Sequence, residues 1–327
     1  MASSFFNTNT LKLESSKKIY FVLLKIFFGV GLLWFIISKI KPSELINSIS
    51  HANLFFIIAS ISLLIFNLFF QYKKWQLTCT CLLAENDKKK VLYSLFFGIV
   101  GGSFTPVRAG EYFGRSIEFK HKPFIEVSAA TLIDKLFLLV VITFAGSVSS
   151  VIFLNVYYNI TFYITLSLFV VIFVFYYLLI LIVLSEKFWN ILSLNSFKST
   201  IRLKPFIERL KIIKQLDKQY SAKMIMWSLL LYICYTFQFA LLVAGFTNHP
   251  RLFHFFWAGN LMMFAKTIIP SFTFAEIGIR EGAAIFFLTK MGETSSAAFS
   301  ASIFLLIINI LIPSVIGLIL LFKKNNA

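Results

Sequence analysis

Acidic residues are scarce in this chain. It carries 14 Asp and Glu against 31 Lys and Arg, and the only aspartates are Asp87, Asp134 and Asp217. No Asp-x-Asp pair is present to hold a metal-bound nucleotide sugar. The four histidines, His51, His121, His249 and His254, show no metal-ligand spacing, so neither a metal nor a cofactor is expected. There is no Gly-x-Ser-x-Gly elbow and no phosphate-binding Gly-x-x-x-x-Gly-Lys loop, which argues against a serine hydrolase and an ATP-driven pump. Cysteine is equally rare. Cys79, Cys81 and Cys234 lack both the partners and the spacing of a zinc site, and cytoplasmic thiols are kept reduced.

Apolar residues make up the balance, at 58% hydrophobic and 18% aromatic with only 14% charged. Several runs of about twenty apolar residues are long enough to cross roughly 30 Å of hydrocarbon. The net charge of +17 sits in loops that flank these runs. Such placement marks topology and contact with anionic lipid rather than nucleic-acid binding. The expected fold is therefore an all-α polytopic membrane protein.

The lysines set its orientation. A polar tail, 1–18, precedes an apolar run at 19–38 that is followed by lysines rather than a cleavage site, so it reads as a retained span. Residues 53–70 form a second span. Lysines at 73, 74 and 88–90 place 71–92 in the cytoplasm. Spans at 127–146 and 158–184 follow, then a basic stretch, 185–223, with nine lysines and arginines. From Pro205 this stretch reads as a helix lying on an anionic leaflet. Spans at 224–246 and 297–322 complete six, with both termini in the cytoplasm of a cell-membrane protein.

Two polar interruptions stand out. The stretch 103–115, SFTPVRAGEYFGR, recurs 168 residues later as SFTFAEIGIREG at 271–282, and 11 of the 28 positions in 103–130 are identical to their shifted partners. Each interruption, with its flanking short apolar segments, reads as a re-entrant helix–break–helix, at 93–120 and at 253–290. Irregular backbone is tolerated at membrane depth only where protein or a wet cavity covers it. Three spans between the copies invert the second relative to the first, an arrangement found in transporters. The first repeat is then 19–157 and the second 158–322, with 323–327 as a cytoplasmic tail.

Ionisable residues at this depth cost several kcal/mol unless paired or hydrated, which makes them candidates for a binding site. Arg108, Glu111 and Arg115 are spaced i, i+3, i+7. Glu276 and Arg280 are i, i+4, with Glu281 adjacent. Asp134 lies in the third span, where it can answer one of the motif arginines, and Lys266 lies just before Pro270. An arginine fork suits a phosphate, and a helix starting after Pro106 would aim N–H groups at an anion. Gly110, Gly114, Gly278 and Gly282 allow close backbone packing. Two readings stay open: a head-group cavity lined from both hairpin tips, or charge pairs that merely lock those tips together.

At these motifs the chain resembles the lysylphosphatidylglycerol synthetase family, in its flippase-like transmembrane region. Pro106, Arg108, Gly110, Glu111 and Arg115 match its first signature, with the last arginine one residue late. Asp134-Lys135 stands where Glu-Arg is usual. Pro270 and Gly278-Ile-Arg280-Glu281 match the second signature, with Ala275-Glu276 replacing a glycine pair. The resemblance implies a lipid-translocating domain whose partners are membrane lipids, anionic or aminoacylated. The soluble aminoacyl-transfer domain of two-part members has no room here, so synthetase activity is not expected. Intramembrane lipid modification, with Glu111 or Asp134 as base, is the alternative. A second copy of the chain or a separately encoded transferase remains open as a protein partner.

Overall fold

A computed structural model describes residue 46 and residues 48–184, 216–269 and 278–325. Among the described residues every regular element is a helix. Helix α1 spans Leu54–Leu82, α2 Lys88–Ser103, α3 Gly110–Ser116, α4 Phe124–Tyr158 and α5 Phe162–Leu184. After the basic stretch come α6 Lys218–Thr247, α7 Leu252–Ile268, α8 Ile279–Lys290 and α9 Ser295–Leu306. A π-helical turn, Ile307–Leu311, joins α9 to α10, Ile312–Asn325.

Five helical segments are long and apolar enough to cross a membrane: α1, α4, Phe162–Ile182, α6 and the continuous Ser295–Lys324. The expected span at 19–38, the tail 1–18, the helix from Pro205, and Pro270 and Glu276 lie outside the described residues. At about 1.5 Å per residue, the 17 residues of α7 cover some 25 Å.

Local chemistry sets several boundaries. The side chain of Asn53 caps α1 by accepting from Phe55 N at 3.1 Å, and Asp87 caps α2 by accepting from Lys89 N at 2.9 Å. Helices α4 and α6 end on Asn159 and Asn248 in the left-handed region, which asparagine tolerates better than most residues. The π turn precedes Pro313, which has no N–H to continue an α-helical ladder.

One boundary differs from expectation. Residues 71–82 are not loop but the last three turns of α1. Asn67, Gln71, Lys74 and Thr78 recur at i, i+4, i+7, i+11, so Lys74, one of the lysines that suggested a cytoplasmic loop, belongs to an inward polar stripe.

The two copies share an element order: a long helix, a shorter one, a break, a short helix and a second long helix. Their leading members, α1 and α6, run antiparallel. Asn53 N meets Gly245 O at 2.8 Å near one end, and Thr78 Oγ1 meets Tyr220 Oη at 3.3 Å near the other. Between these ends Asn67 Nδ2 donates to Gln238 Oε1 at 3.1 Å, and Gln238 Nε2 donates to Ser60 O at 3.0 Å. Interhelical amides of this kind satisfy polar groups that lipid cannot. Helix α6 is the most enclosed of the five, and Phe239, Ala240, Leu242, Val243 and Ala244 sit in the main apolar cluster.

The hairpins are exchanged between copies. Helix α2 packs on α10, where Ser103 Oγ lies 2.9 Å from Ser314 Oγ and a methyl on Gly317 would fall 2.6 Å from Val100 Cγ2. Helix α7 packs on α4, where Gly146 leaves room for Phe264 and Asn260 donates to Ser149 Oγ. Phe264 is the 168-residue counterpart of Phe96, whose carbonyl faces Gly317. Each copy thus rests its hairpin on the long helix of the other, the reciprocal contact that a two-fold relation produces.

Candidate functional site

The first hairpin is closed by glycine. A methyl at Gly110 would collide with the carbonyl of Gly101, and one at Gly114 with the carbonyl of Phe97, so α2 and α3 touch backbone to backbone. Thr105 ties the break together, donating to Gly101 O at 2.9 Å and accepting from Gly110 N at 2.7 Å. Arg108 N is likewise bonded to Thr105 O at 3.2 Å. Two of the N–H groups just after Pro106, those of Arg108 and Gly110, are therefore satisfied within the turn rather than aimed at an anion.

Val107 (φ 57°, ψ 16°) and Arg108 (φ 54°) both occupy the left-handed region. For a β-branched residue this costs about 1–3 kcal/mol and persists only where the surroundings enforce it. The consequence is geometric. The turn brings the Arg108 side chain back over Glu111, and Arg108 Nε lies 3.4 Å from Glu111 Oε2.

Glu111 is the hub of a buried ion network. Its Oε1 accepts from Arg115 Nη2 at 2.7 Å, and its Oε2 lies 2.8 Å from Lys135 Nζ. Arg115 Nη1 donates to Asp134 Oδ2 at 3.0 Å. Lys74 Nζ lies 3.7 Å from Asp134 Oδ1 and donates to the Asp134 carbonyl at 3.1 Å. The guanidinium of Arg115 sits 4.2 Å from the Trp75 ring centroid, and Trp75 Nε1 donates to Ser94 Oγ, which donates to Arg115 O. Each of these buried charges has an opposite charge beside it, while Arg115 Nε and Asp134 Oδ1 have no hydrogen-bond partner among the described residues.

Exposure divides the network into two groups. Lys74, Glu111, Arg115 and Asp134 are buried, whereas the side chains of Arg108 and Lys135 keep 32% and 31% of their surface. Both half-exposed cations border a cavity of about 420 Å³ between the first hairpin, α1, α4, α6, α7 and the π turn. Lys266 and Thr267, at the end of α7, reach it from the second hairpin, and Asn309 from the π turn. Its far wall is apolar, with Leu139, Ile142 and Met263. The volume falls in the range of small-molecule pockets and suits a polar head group rather than a whole lipid.

The second motif lies elsewhere. Arg280 and Glu281 are fully buried and paired, Nη2 to Oε1 at 2.6 Å, with Arg280 Nε 3.3 Å from Ser302 Oγ. Glu281 Oε2 also accepts from Gly278 N at 2.5 Å, and Gly278 has φ 98°, a conformation that favours glycine. Neither charged residue lines the cavity. Ser302 is the 168-residue counterpart of Asp134, so both copies join a motif arginine to the same point of the following helix. A methyl at Gly282 would meet nothing within 4 Å among the described residues, unlike Gly110 and Gly114.

Lys74 was assigned to a loop, and Lys135 was noted only as Asp134's neighbour. The signal for Lys74 was its place in the polar stripe from Asn67 to Thr78. Among the described residues no group of three or more His, Cys, Asp or Glu could hold a metal.

The family model of the lysylphosphatidylglycerol synthase TM region matches residues 22–317, nearly the whole chain, and the chain belongs to that family. No curated protein and no solved structure matches it. It is an all-α multi-pass membrane protein of a lipid-handling family.

Proposed function

We propose that this member of the lysylphosphatidylglycerol synthase transmembrane family is a flippase-like transporter that takes the phosphate-bearing head group of a membrane lipid into the cavity between its hairpins. One observation carries the reading: Arg108 Nε and Lys135 Nζ converge on the same Glu111 oxygen, yet about a third of each side chain stays exposed at the cavity. A phosphate arriving there meets two cations already placed by the fold. Arginine supplies a planar fork and lysine a point charge.

The other charged residues have supporting roles in this reading. Arg115, Asp134 and Lys74 hold Glu111 and the hairpin in register, and Lys266 offers a third cation from the second tip. Arg280 and Glu281 fix the start of α8, while Glu276 belongs to the same tip in sequence. The antiparallel course of α1 and α6 in the two copies supports alternating access about a central site. The reading places the protein in the cell membrane with both termini in the cytoplasm.

The test is translocation of fluorescent phospholipid in proteoliposomes. Wild type should exceed protein-free vesicles, and Arg108→Gln and Lys135→Gln should each lower the rate about tenfold, the loss expected for one charge-assisted contact. Equal rates with and without wild-type protein would sink the proposal. A new lipid species in mass spectra would instead indicate chemistry on the lipid.

A further inference from the structure

We infer that a second pocket, at the end of the bundle where α6 finishes, binds the zwitterionic head group of a phospholipid, its phosphate on Arg251 and its ammonium on Glu293. The inference is independent of the transport reading and concerns a different place in the fold. The pocket, of about 330 Å³, lies where the α6–α7 connection meets the α8–α9 connection. Phe246, Thr247, His249 and Arg251 line it from the first, and Gly292, Glu293 and Thr294 from the second. It shares no lining residue with the central cavity. Tyr235 is the last residue of α6 at that cavity, and Phe246 lies about 16 Å further along the helix.

The first argument is charge. Each acid that the bundle buries is matched: Glu111 and Asp134 by Arg115, Glu118 by Lys324 and Glu281 by Arg280. Lys290, at the end of α8, lies over the Tyr158 ring at 5.4 Å. Arg251 and Glu293 instead border one pocket and form no ion pair, with each other or with another residue, among the described residues. The hydroxyl groups beside them are engaged. Thr247 Oγ1 donates to Val243 O at 2.9 Å, and Thr294 Oγ1 accepts from Ala297 N at 3.3 Å. Helix α7 starts after Arg251 without a side-chain cap, so the positive end of that helix adds to the guanidinium. Both connections are also fixed before any ligand arrives. Asn248 Nδ2 donates to His51 O at 2.8 Å, and Glu293 N donates to Leu288 O at 2.9 Å beyond Gly292 at φ 91°. A cation and an anion held on separate connections, and not in contact, suit a ligand that carries both charges.

The second argument is position, and it points to a lipid. The 30 residues of α6 cover about 45 Å, enough for the hydrocarbon and both head-group layers, so its last residues lie level with lipid head groups. Apolar surface begins beside the pocket. Phe253, two residues after Arg251, is 81% exposed. Phe55 is 73% exposed, at the end of α1 where Asn53 N meets Gly245 O. Acyl chains can lie on these rings while their head group fills the pocket, and a free zwitterion would leave them unused. An ethanolamine head group fits the charges. The arginine fork takes two phosphate oxygens, the Glu293 carboxylate accepts from the ammonium, and the His249 ring adds a polar contact. Phosphatidylglycerol offers the same phosphate with no cation for Glu293.

The experiment measures binding, apart from transport. The purified full chain in neutral detergent is titrated with short-chain phosphatidylethanolamine, phosphatidylglycerol and free phosphoethanolamine, with thermal stabilisation as the readout. Phosphatidylethanolamine should stabilise the protein. Glu293→Gln should weaken its binding about tenfold without weakening that of phosphatidylglycerol, and Arg251→Gln should weaken it by a similar factor. Arg251 is exposed and Glu293 half-buried, so both variants should fold. Arg108→Gln, at the central cavity, should leave the effect of Glu293→Gln intact. No binding of phosphatidylethanolamine, or equal binding by wild type and Glu293→Gln, would overturn the inference. Phosphoethanolamine bound as tightly as the lipid would also overturn it, by reassigning the pocket to a soluble zwitterion. Binding that depends on Glu293, in a protein that translocates no lipid, would remove the transport reading and leave this one. Translocation without such binding would do the reverse.

Discussion

Asp134 offers the sharpest test of the ion network, because its removal leaves Lys74 buried without its carboxylate. Lys74 and Asp134 retain 3% and 7% of their side-chain surface and stand 3.7 Å apart. Arg115, the other partner of Asp134, keeps a 2.7 Å contact with Glu111. In Asp134→Leu the damage therefore falls mainly on Lys74, which retains only the backbone carbonyl of residue 134. Breaking a buried pair from one side costs about 3–5 kcal/mol. That is two to three and a half powers of ten in the folding equilibrium, at about 1.4 kcal/mol per tenfold. Replacing both ends, in Lys74→Met with Asp134→Leu, removes the orphaned charge as well as the pair. The double variant should thus be more stable than Asp134→Leu alone, recovering about 2 kcal/mol or more, because buried pairs replaced by apolar residues are often neutral. Unfolding of the purified protein in mixed micelles, with all four corners of the cycle measured, reads this directly. A double variant as unstable as the sum of the singles would refute the view that Lys74 and Asp134 act as one unit.

Glycine substitutions should split by position. Gly114→Ala forces apart two backbones in contact and should cost several kcal/mol, whereas Gly282→Ala, with nothing within 4 Å among the described residues, should gain up to about 1 kcal/mol of helix propensity. Thermal melts of the two variants side by side check this, and equal effects would contradict the packing described. At the exchanged contact, Gly146→Leu should destabilise by about 1–3 kcal/mol, and Phe264→Ala in the same chain should restore part of the loss. Gln238→Leu should cost about 1–3 kcal/mol by leaving the buried amide of Asn67 without its acceptor, measured by the same unfolding assay. Val107→Gly should relieve the left-handed strain and raise stability while slowing translocation, because the turn would no longer fix Arg108 over Glu111.

Composition and periodicity alone determined the class of this protein. Runs of apolar residues too long for a soluble core require lipid. The repeat at 103–115 and 271–282 was equally legible, because identities at a fixed offset need no coordinates. That Arg280 and Glu281 would stand apart from the cavity was not legible, since both motifs carry the same residue types. Only packing sends Arg108 to the cavity wall and seals Arg280 against Glu281 and Ser302. Lys74 was hidden for a related reason. A lysine beside other lysines reads as loop until the helix is seen to continue and to turn that face toward Asp134. The sequence by itself determined that charges would lie in and beside long apolar helices, because their positions along the chain place them there. Only the tertiary structure decided their partners, because pairing depends on which helices lie side by side, and antiparallel contacts between copies 168 residues apart leave no local trace.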